Sequence, residues 1–326
     1  MLRMKVRGIV SLMVGTFVSA ASAAEILYNG IRLPEIWPPK DRTVNSPPRL
    51  PVPYLENAHI PKVLPIDLGR QLFVDDFLVA STEGVVRVFH YPRKYEGNPV
   101  MKPETSWEIN TPGNATVRPN GGGLWWDSEI RRFRLWYEAG WCREICYAES
   151  KDGIRWERPC VDILPGTNRL LPDQKVDSWS VYPDYESKDP DRRWNLFINR
   201  GGNPVHGDAY TSRDGIHWTN HVKTGLNCDR STMFYNPFRK KWVWSLRSGW
   251  RARSTIYHEA EDFLEGSDWC WPLGEGMPGW KYRNLNTNTV DCSLWMAADD
   301  LDVQTLHPDE NKQASLYAFD AVAYES

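Results

Sequence analysis

The chain contains 326 residues, of which 41% are apolar and 17 are tryptophan, so it can bury a large core and lacks the composition of a disordered protein. Its formal net charge of −3 at pH 7 argues against a nucleic-acid partner bound through bulk positive charge. Long amphipathic helical patterns are scarce, and 24 prolines and 23 glycines indicate many turns, which favours an all-β fold.

The first 24 residues have the three parts of a secretory signal peptide. Arg3, Lys5 and Arg7 form a basic start, residues 9–18 are mostly apolar, and residues 21–23 offer a small-residue cleavage site. The apolar run is too short to span a bilayer, although an uncleaved anchor is the alternative. We therefore expect a secreted or periplasmic protein, free of the membrane after cleavage, with a net charge of −6 (36 basic against 42 acidic residues).

The region after the signal peptide divides into a lead-in and a domain. Residues 25–66 are rich in proline and predict an extended lead-in on the domain surface. Residues 71–79 predict two short strands around a turn at Asp75 and Asp76, and residues 85–91 alternate well enough for another strand. We assign residues 67–326 to one domain.

One seven-residue sequence motif occurs twice within this domain. Ser-x-Asp-Gly-x-x-Trp stands at residues 150–156 and again 62 residues later at 212–218. Its Asp can hydrogen-bond the backbone of its own turn, its Gly accepts a positive φ, and its Trp can pack between sheets, so we expect a structural role. The turn resembles the Asp-box of sialidases, shortened by one residue.

Each copy of the motif follows a unit of three predicted strands, in which the first two are joined by a hairpin turn. The motif itself leads into a short fourth strand that ends at its Trp. This is the pattern of one propeller blade, and a β-sandwich is the alternative. The predicted strands are 123–127, 133–137 and 145–150 in the first unit, 181–185, 194–198 and 208–212 in the second, and 232–237, 241–246 and 254–259 in the third, where Phe263 and Trp269 follow.

A fourth unit is predicted to begin near residues 290–295 and to include a strand at residues 315–326, where the chain stops. About four blades are therefore represented. An open ring would leave sheet edges exposed. Either the strands predicted at residues 71–91 close the ring, or the chain is a fragment.

Six cysteines allow 15 pairings, and sequence cannot choose among them. An exported chain of this size can form disulfides without requiring them. Cys142 and Cys146 have no nearby histidine or second cysteine pair, so we do not expect a zinc site. We predict neither a metal ion nor a cofactor. The cysteines are Cys142, Cys146, Cys160, Cys228, Cys270 and Cys292.

Residues 117–127, followed by the strand at 133–137, resemble the first blade of glycoside hydrolase family 32. The related family 43 shares a five-bladed β-propeller. The resemblance implies an all-β, five-bladed propeller, incomplete at its C-terminus if the chain is a fragment, that acts on an oligo- or polysaccharide. It also implies catalysis by carboxylates on the inner strands, because glycoside hydrolysis needs one acid and one nucleophile or base. Arg118 stands where family 32 has its nucleophilic Asp.

Three acidic residues recur in step with the predicted blades. Asp177, Asp229 and Asp291 each begin the first strand of a unit and are 52 and then 62 residues apart. Because first strands line the axis of a propeller, we predict that these carboxylates converge as catalytic residues. Asp229 follows Cys228 in a position that resembles the family 32 acid. The alternative is that each Asp caps a turn.

We also predict a substrate-binding set: Arg118, Trp126, Trp179 and Glu325. Arg118 suits a carboxylate or sulfate on a sugar, the two Trp rings could stack on sugars, and Glu325 lies on an apolar strand where a lone carboxylate would be costly to bury. Core packing is the alternative for the Trp residues. The predicted function is hydrolysis of a glycosidic bond, and the alternatives are sugar binding without catalysis and a truncated product without activity. The sequence does not indicate whether the protein is a monomer or an oligomer.

Overall fold

The structure, a computed structural model, describes residues 25–27, 32–33, 35, 37–38, 73, 76, 78–109, 114–172, 175–201, 205–248, 253–269, 292–297 and 315–324. Within them the fold is all-β, as predicted, and consists of three antiparallel sheets with two four-residue helices. None of the helices in these residues is long and apolar enough to cross a membrane. The predicted signal peptide at residues 1–24 lies outside the described residues.

The first sheet has the order β1-β2-β3-β4, and a fifth strand, β5, also pairs with β3. A helix, α1, precedes it. The residue bounds are α1 Ser106–Ile109, β1 Val117–Asp127, β2 Arg132–Ala139, β3 Glu144–Ser150, β4 Trp156–Glu157 and β5 Arg169–Leu171.

The second and third sheets each have four strands in chain order. The second contains β6 Ser178–Pro183, β7 Trp194–Asn199, β8 Val205–Ser212 and β9 Thr219–Asn227, with a short 3₁₀ helix at Pro190–Arg192 in the β6–β7 turn. The third contains β10 Thr232–Asn236, β11 Lys241–Ser248, β12 Ser254–Ala260 and β13 Ser293–Met296, with α2 at Phe263–Gly266. The three main strands predicted for each unit are confirmed, although β1 begins six residues before its predicted start at residue 123.

The last part of the third unit was predicted wrongly. Phe263 begins the helix α2 rather than a strand, because Asp262 caps the helix by accepting hydrogen bonds from the amides of Leu264 and Glu265. The fourth strand is supplied instead by β13, which pairs antiparallel with β12. The segment expected to start a fourth unit is therefore the outer edge of the third sheet.

Two further predicted strands are absent from the described residues. Residues 85–91 form no strand, and their apolar side chains are largely exposed, because no neighbouring strand offers them a hydrogen-bonded ladder. Residues 315–324 are likewise outside any strand, although Ser245 donates a hydrogen bond of 2.7 Å to the carbonyl of Phe319. The two strands predicted at residues 71–79 lie mostly outside the described residues.

The leading strands of the three sheets, β1, β6 and β10, contact one another. The Asn120 amide donates to the carbonyl of Asp177 at 3.4 Å, and the Met233 amide donates to Ser180 Oγ at 3.1 Å. A Cβ at Gly121 in β1 would lie only 2.8 Å from Thr232 Cγ2 in β10. The sheets therefore converge on a common region through their first strands, as blades do, while the number of blades in a full ring stays a prediction.

The core lies between successive sheets. Trp136 and Tyr147 of the first sheet pack with Trp179 and Trp194 of the second, and a second cluster joins Phe197 to the aromatic residues of the third. Because β6 is covered by a sheet on each side, nearly all of its residues are buried, and buried and exposed residues do not alternate along it.

Both copies of the Asp-Gly turn have the geometry expected of them. Asp152 Oδ1 accepts from the amides of Ile154 and Arg155 at 2.8 and 2.7 Å, and Asp214 makes the same bonds at 2.8 and 2.9 Å. Gly153 and Gly215 both have positive φ. The turn is therefore a structural element, and the second copy packs against the first sheet, where Trp136 Nε1 donates to the Gly215 carbonyl at 2.8 Å.

Candidate functional site

The starting ends of the three leading strands carry the residues that the sequence singled out. Arg118 is the second residue of β1, Asp177 directly precedes β6, and Asp229 lies three residues before β10. Since these strands contact one another, residues at their starting ends are brought to one region of the molecule.

Arg118 forms an ion pair with Glu138, which lies opposite it on β2. Arg118 Nε donates to Glu138 Oε2 at 2.6 Å, the Cys142 amide donates to the other carboxylate oxygen, and the guanidinium lies 4.9 Å from the centre of the Trp141 ring. Glu138 is fully buried. Burial raises the pKa of Glu138, the Cys142 amide and Arg118 oppose the rise, and the negative charge of Asp177 adds to it.

Asp177 is half-buried, and its carboxylate accepts no hydrogen bond from the described side chains. Its charge acts on groups from two other sheets: it raises the pKa of Glu138 in the first sheet and opposes the lowering of the pKa of Arg247 by burial in the third. Asp177 also touches the first sheet, since the Asn120 side-chain amide donates to its carbonyl at 3.4 Å. Gly201 lies beside it, since a Cβ there would come within 3.3 Å of Asp177 Oδ2.

Asp229 is held by two partners. Arg247, from β11, forms an ion pair with it, and Tyr317 donates a hydrogen bond to Asp229 Oδ2 at 3.0 Å. Tyr317 in turn lies under Arg253, whose guanidinium carbon is 4.2 Å from the ring centre. Arg247 Nε is buried and has no hydrogen-bond partner among the described residues. The segment 315–324 thus reaches the same region as the leading strands.

We call this set the axial cluster: Arg118, Glu138, Asp177, Asp229, Arg247 and Tyr317. It combines three carboxylates, two guanidiniums and a phenol hydroxyl, partly open to solvent at Arg118, Asp177, Asp229 and Tyr317. Such a set can bind polar groups and can give or accept a proton.

The other predicted site residues do not join the axial cluster. Trp126 is exposed but stands near the opposite end of β1 from Arg118, on the order of 20 Å away for a strand of this length. Its ring packs edge-on against Phe133 at 4.9 Å. Trp179 is fully buried in the core between the first two sheets, so its ring has no exposed face for a sugar and has a packing role instead.

Asp291 and Glu325 lie outside the described residues. The strand that follows Asp291 is β13, an outer strand, so the expectation that Asp291 begins the leading strand of a fourth blade is wrong. Its predicted catalytic role, and the binding role of Glu325, stay predictions.

Sequence reasoning missed Glu138, Arg247 and Tyr317. A three-residue insertion in β1 hid the pairing of Glu138 with Arg118: the register passes from Pro119↔Tyr137 directly to Leu124↔Leu135. Arg247 lies near the end of β11, directly after its apolar residues. A charged residue at the end of an apolar run could have indicated that this strand ends near the axis. Tyr317 reaches Asp229 from 88 residues away, and no local pattern indicates that contact.

No group of three or more His, Cys, Asp or Glu side chains in the described residues could hold a metal ion. Cys142, Cys146 and Cys160 carry free thiols. Cys270 lies outside the described residues.

No protein-family model matches this chain, and no curated protein matches it. Several solved structures are similar to parts of it. An N-acetylgalactosamine deacetylase from F. plautii, in complex with blood group B trisaccharide, is 17% identical over 43% of this chain and 49% of its own, with a TM-score of 0.31. An α-L-arabinofuranosidase (CtGH43) from Clostridium thermocellum is 14% identical over 47% and 49%, with a TM-score of 0.32.

The third similar structure is a candidate glycoside hydrolase from Bacteroides ovatus, which is 16% identical over 58% of this chain and 60% of its own, with a TM-score of 0.36. The matched part is thus about half to three fifths of each of these proteins. All three have names that refer to carbohydrates, and one carries the family 43 designation. At these TM-scores the likenesses carry no argument about activity, which has to come from the site itself.

Proposed function

We propose that this protein is exported after removal of residues 1–24 and hydrolyses a glycosidic bond of an oligo- or polysaccharide at the axial cluster. The observation that supports the proposal is the contact between the starts of β6 and β10, where Ser178 Oγ donates to the Ser231 carbonyl at 3.4 Å. Asp177 and Asp229, the carboxylates that come just before these two strands, therefore lie in one region of the molecule. Glycoside hydrolysis needs two such groups, one to protonate the leaving oxygen and one to attack the anomeric carbon or activate water.

The surroundings of the two carboxylates suggest their roles. An ion pair favours the charged form of a carboxylate, so Asp229, held by Arg247 and Tyr317, suits the nucleophile or base. Asp177, without a hydrogen bond from the described side chains, is the group left to carry the proton to the leaving oxygen. The resemblance to family 32 implies that Asp229 is the acid. We assign it the opposite role because its ion pair with Arg247 favours the charged form of the carboxylate.

The remaining residues of the axial cluster would bind and orient the sugar. Arg118 is fixed by the buried carboxylate of Glu138, so its planar guanidinium presents donors in a set direction. Trp141, which lies under that guanidinium and is half exposed, offers an aromatic face.

The test compares Asp177→Asn and Asp229→Asn with the parent protein on a panel of polysaccharides and aryl glycosides. We expect Asp177→Asn to lose about 10²–10⁴-fold in rate on substrates with poor leaving groups and much less on dinitrophenyl glycosides, which need no acid. Asp229→Asn should lose activity on both. The control is Asp162→Asn, an exposed carboxylate whose partner is His217, which should keep the parent rate.

Unchanged rates in both variants on a substrate that the parent hydrolyses would exclude these residues as the catalytic pair. The second candidate function is sugar binding without catalysis, and one observation favours it: Glu138 and Asp229 are both neutralised by arginines. Saccharide binding without turnover by the parent protein would select that function.

A further inference from the structure

A second group of charged side chains lies on the second sheet, beside the axial cluster. Asp208 on β8 is almost fully buried, and three cationic or protonatable side chains converge on it. His221 Nε2 and Lys223 Nζ lie 2.5 and 2.6 Å from Asp208 Oδ1, and Arg200 pairs with Oδ2. We call Arg200, Asp208, Tyr210, His221 and Lys223 the Asp208 cluster.

The cluster carries more positive charge than Asp208 needs. Burial raises the pKa of Asp208, but its bonds to Lys223, His221 and Arg200 outweigh this and lower it, so the carboxylate is charged. One carboxylate then faces two permanent cations, Arg200 and Lys223, which leaves a net charge of +1 on these three side chains. A single lysine would have sufficed to pair Asp208.

The excess positive charge faces solvent. The side chain of Lys223 is 64% exposed and that of His221 is 44% exposed, whereas Asp208 is at 1%. Among the described residues the Lys223 ammonium bonds only to Asp208, so two of its three donors are open to another acceptor. The His221 ring is held flat on Tyr210, with the ring centres 4.7 Å apart.

The cluster is also next to the axial cluster. Arg200 Nη1 donates to the Lys175 carbonyl at 3.4 Å. The following residue, Gly201, is so close to Asp177 that a Cβ there would lie 3.3 Å from its carboxylate. Lys223 and His221 lie on β9, three strands from β6 and thus about 14 Å across the sheet, so only a saccharide of several sugar units could contact Asp177 and Lys223 together.

We propose that the Asp208 cluster is a subsite for an anionic substituent, a sugar carboxylate or a sulfate ester, on the saccharide that the axial cluster binds. This inference rests on the proposed function and narrows its substrate class to acidic glycans. Because the whole chain is negatively charged, an acidic glycan is repelled overall and needs a local positive site to bind. Charge-assisted hydrogen bonds from the ammonium of Lys223 would supply it.

The test measures binding of the full chain to three trisaccharides by calorimetry: galacturonic acid trimer, a sulfated galactose trimer and neutral galactose trimer. We expect one or both acidic ligands to bind at least ten-fold more tightly than the neutral one, with the advantage falling as salt is added. Lys223→Met should remove most of that advantage. Lys241→Met, which removes a lysine paired with Glu261 on the third sheet, is the matched control and should not.

The two acidic ligands distinguish a carboxylate site from a sulfate site. Equal binding of acidic and neutral ligands, with no effect of Lys223→Met, overturns the subsite and leaves the proposed function standing. If no saccharide binds while inorganic sulfate binds in a Lys223-dependent way, the saccharide assignment fails together with the proposed function.

Discussion

Gly153 and Gly215 occupy the same place in the two copies of the Asp-Gly turn but meet different surroundings. Both have positive φ, +72° and +75°. A Cβ at Gly153 would meet only the ring of Phe133, at 3.7 Å, whereas a Cβ at Gly215 would lie 2.7 Å from Trp136 and 3.0 Å from Arg134. The local turn is repeated, and among the described residues the second glycine lies against the first sheet whereas the first glycine meets only its own sheet.

This difference predicts unequal effects of the same substitution. Gly153→Ala should lower the free energy of unfolding by about 1 kcal/mol, because Ala is strained at positive φ. Gly215→Ala should cost about 1–3 kcal/mol more, because its methyl group also displaces Trp136. Urea unfolding of the two variants measures the difference. Equal losses would mean that the second turn does not pack against the first sheet.

The candidate site was only partly predictable at the residue scale. The repeat predicted where Asp177 and Asp229 lie, because it indicates strand starts. The contact of Tyr317 with Asp229 could not be predicted, since the two residues are 88 positions apart in the chain. The exposure of the tryptophans was equally hidden: Trp126 and Trp179 stand in similar aromatic strands, yet only the structure shows which one a neighbouring sheet covers.

At the scale of elements, the hairpins were predictable and the sheet edges were not. Strands β1–β3, β6–β8 and β10–β12 are joined by local turns and carry their own apolar pattern, so the sequence indicates them. The outer strand β13 comes from a remote segment, after Asp262 has started α2 in the place expected for a strand. Because β13 pairs with a strand that lies far from it in the chain, no local sequence pattern indicates this pairing.

The lead-in contacts the third sheet around one arginine, Arg239. Arg239, in the β10–β11 turn, is nearly buried and forms ion pairs with Glu25 of the lead-in and Glu259 of β12. Trp37 adds a hydrogen bond of 3.3 Å to Glu259, and its ring lies 5.7 Å from the Arg239 guanidinium. Glu25 and Trp37 of the lead-in therefore contact the third sheet, while the extended lead-in over residues 25–66 stays a prediction.

We expect Arg239→Met to lower the free energy of unfolding by about 3 kcal/mol, because it leaves the buried carboxylate of Glu259 without its cation. It should also speed proteolytic cleavage within residues 25–38, since Glu25 loses its partner. Lys241→Met, two residues away, removes a pair whose carboxylate, Glu261, is exposed, and should cost less than about 1 kcal/mol. Denaturant unfolding and limited proteolysis measure both. A stability loss without faster cleavage would show that Arg239 does not hold the lead-in.

At the scale of the whole molecule, the sheets are joined by packed aromatic rings with a charged centre. Arg134 of β2 is buried, pairs with Asp127 of its own sheet and donates a hydrogen bond to the Asp214 carbonyl of the second. Its guanidinium carbon lies 4.6 Å from the centre of the Trp194 ring in the second sheet and 4.9 Å from that of Trp136 in the first. Arg134 is thus bonded to both sheets at once.

Arg134→Met should therefore weaken the first two sheets together. We expect a loss of about 3 kcal/mol or more in unfolding free energy, because Asp127 is left buried without its cation, and Arg134→Lys should restore little, since an ammonium cannot stack between the rings. Hydrogen exchange should rise in both β2 and β7. Arg132→Met, on the same strand but paired with an exposed Glu157, is the control and should cost less than about 1 kcal/mol. Faster exchange confined to β2 would show that the sheets unfold independently, and the radial arrangement would then depend on the leading strands alone.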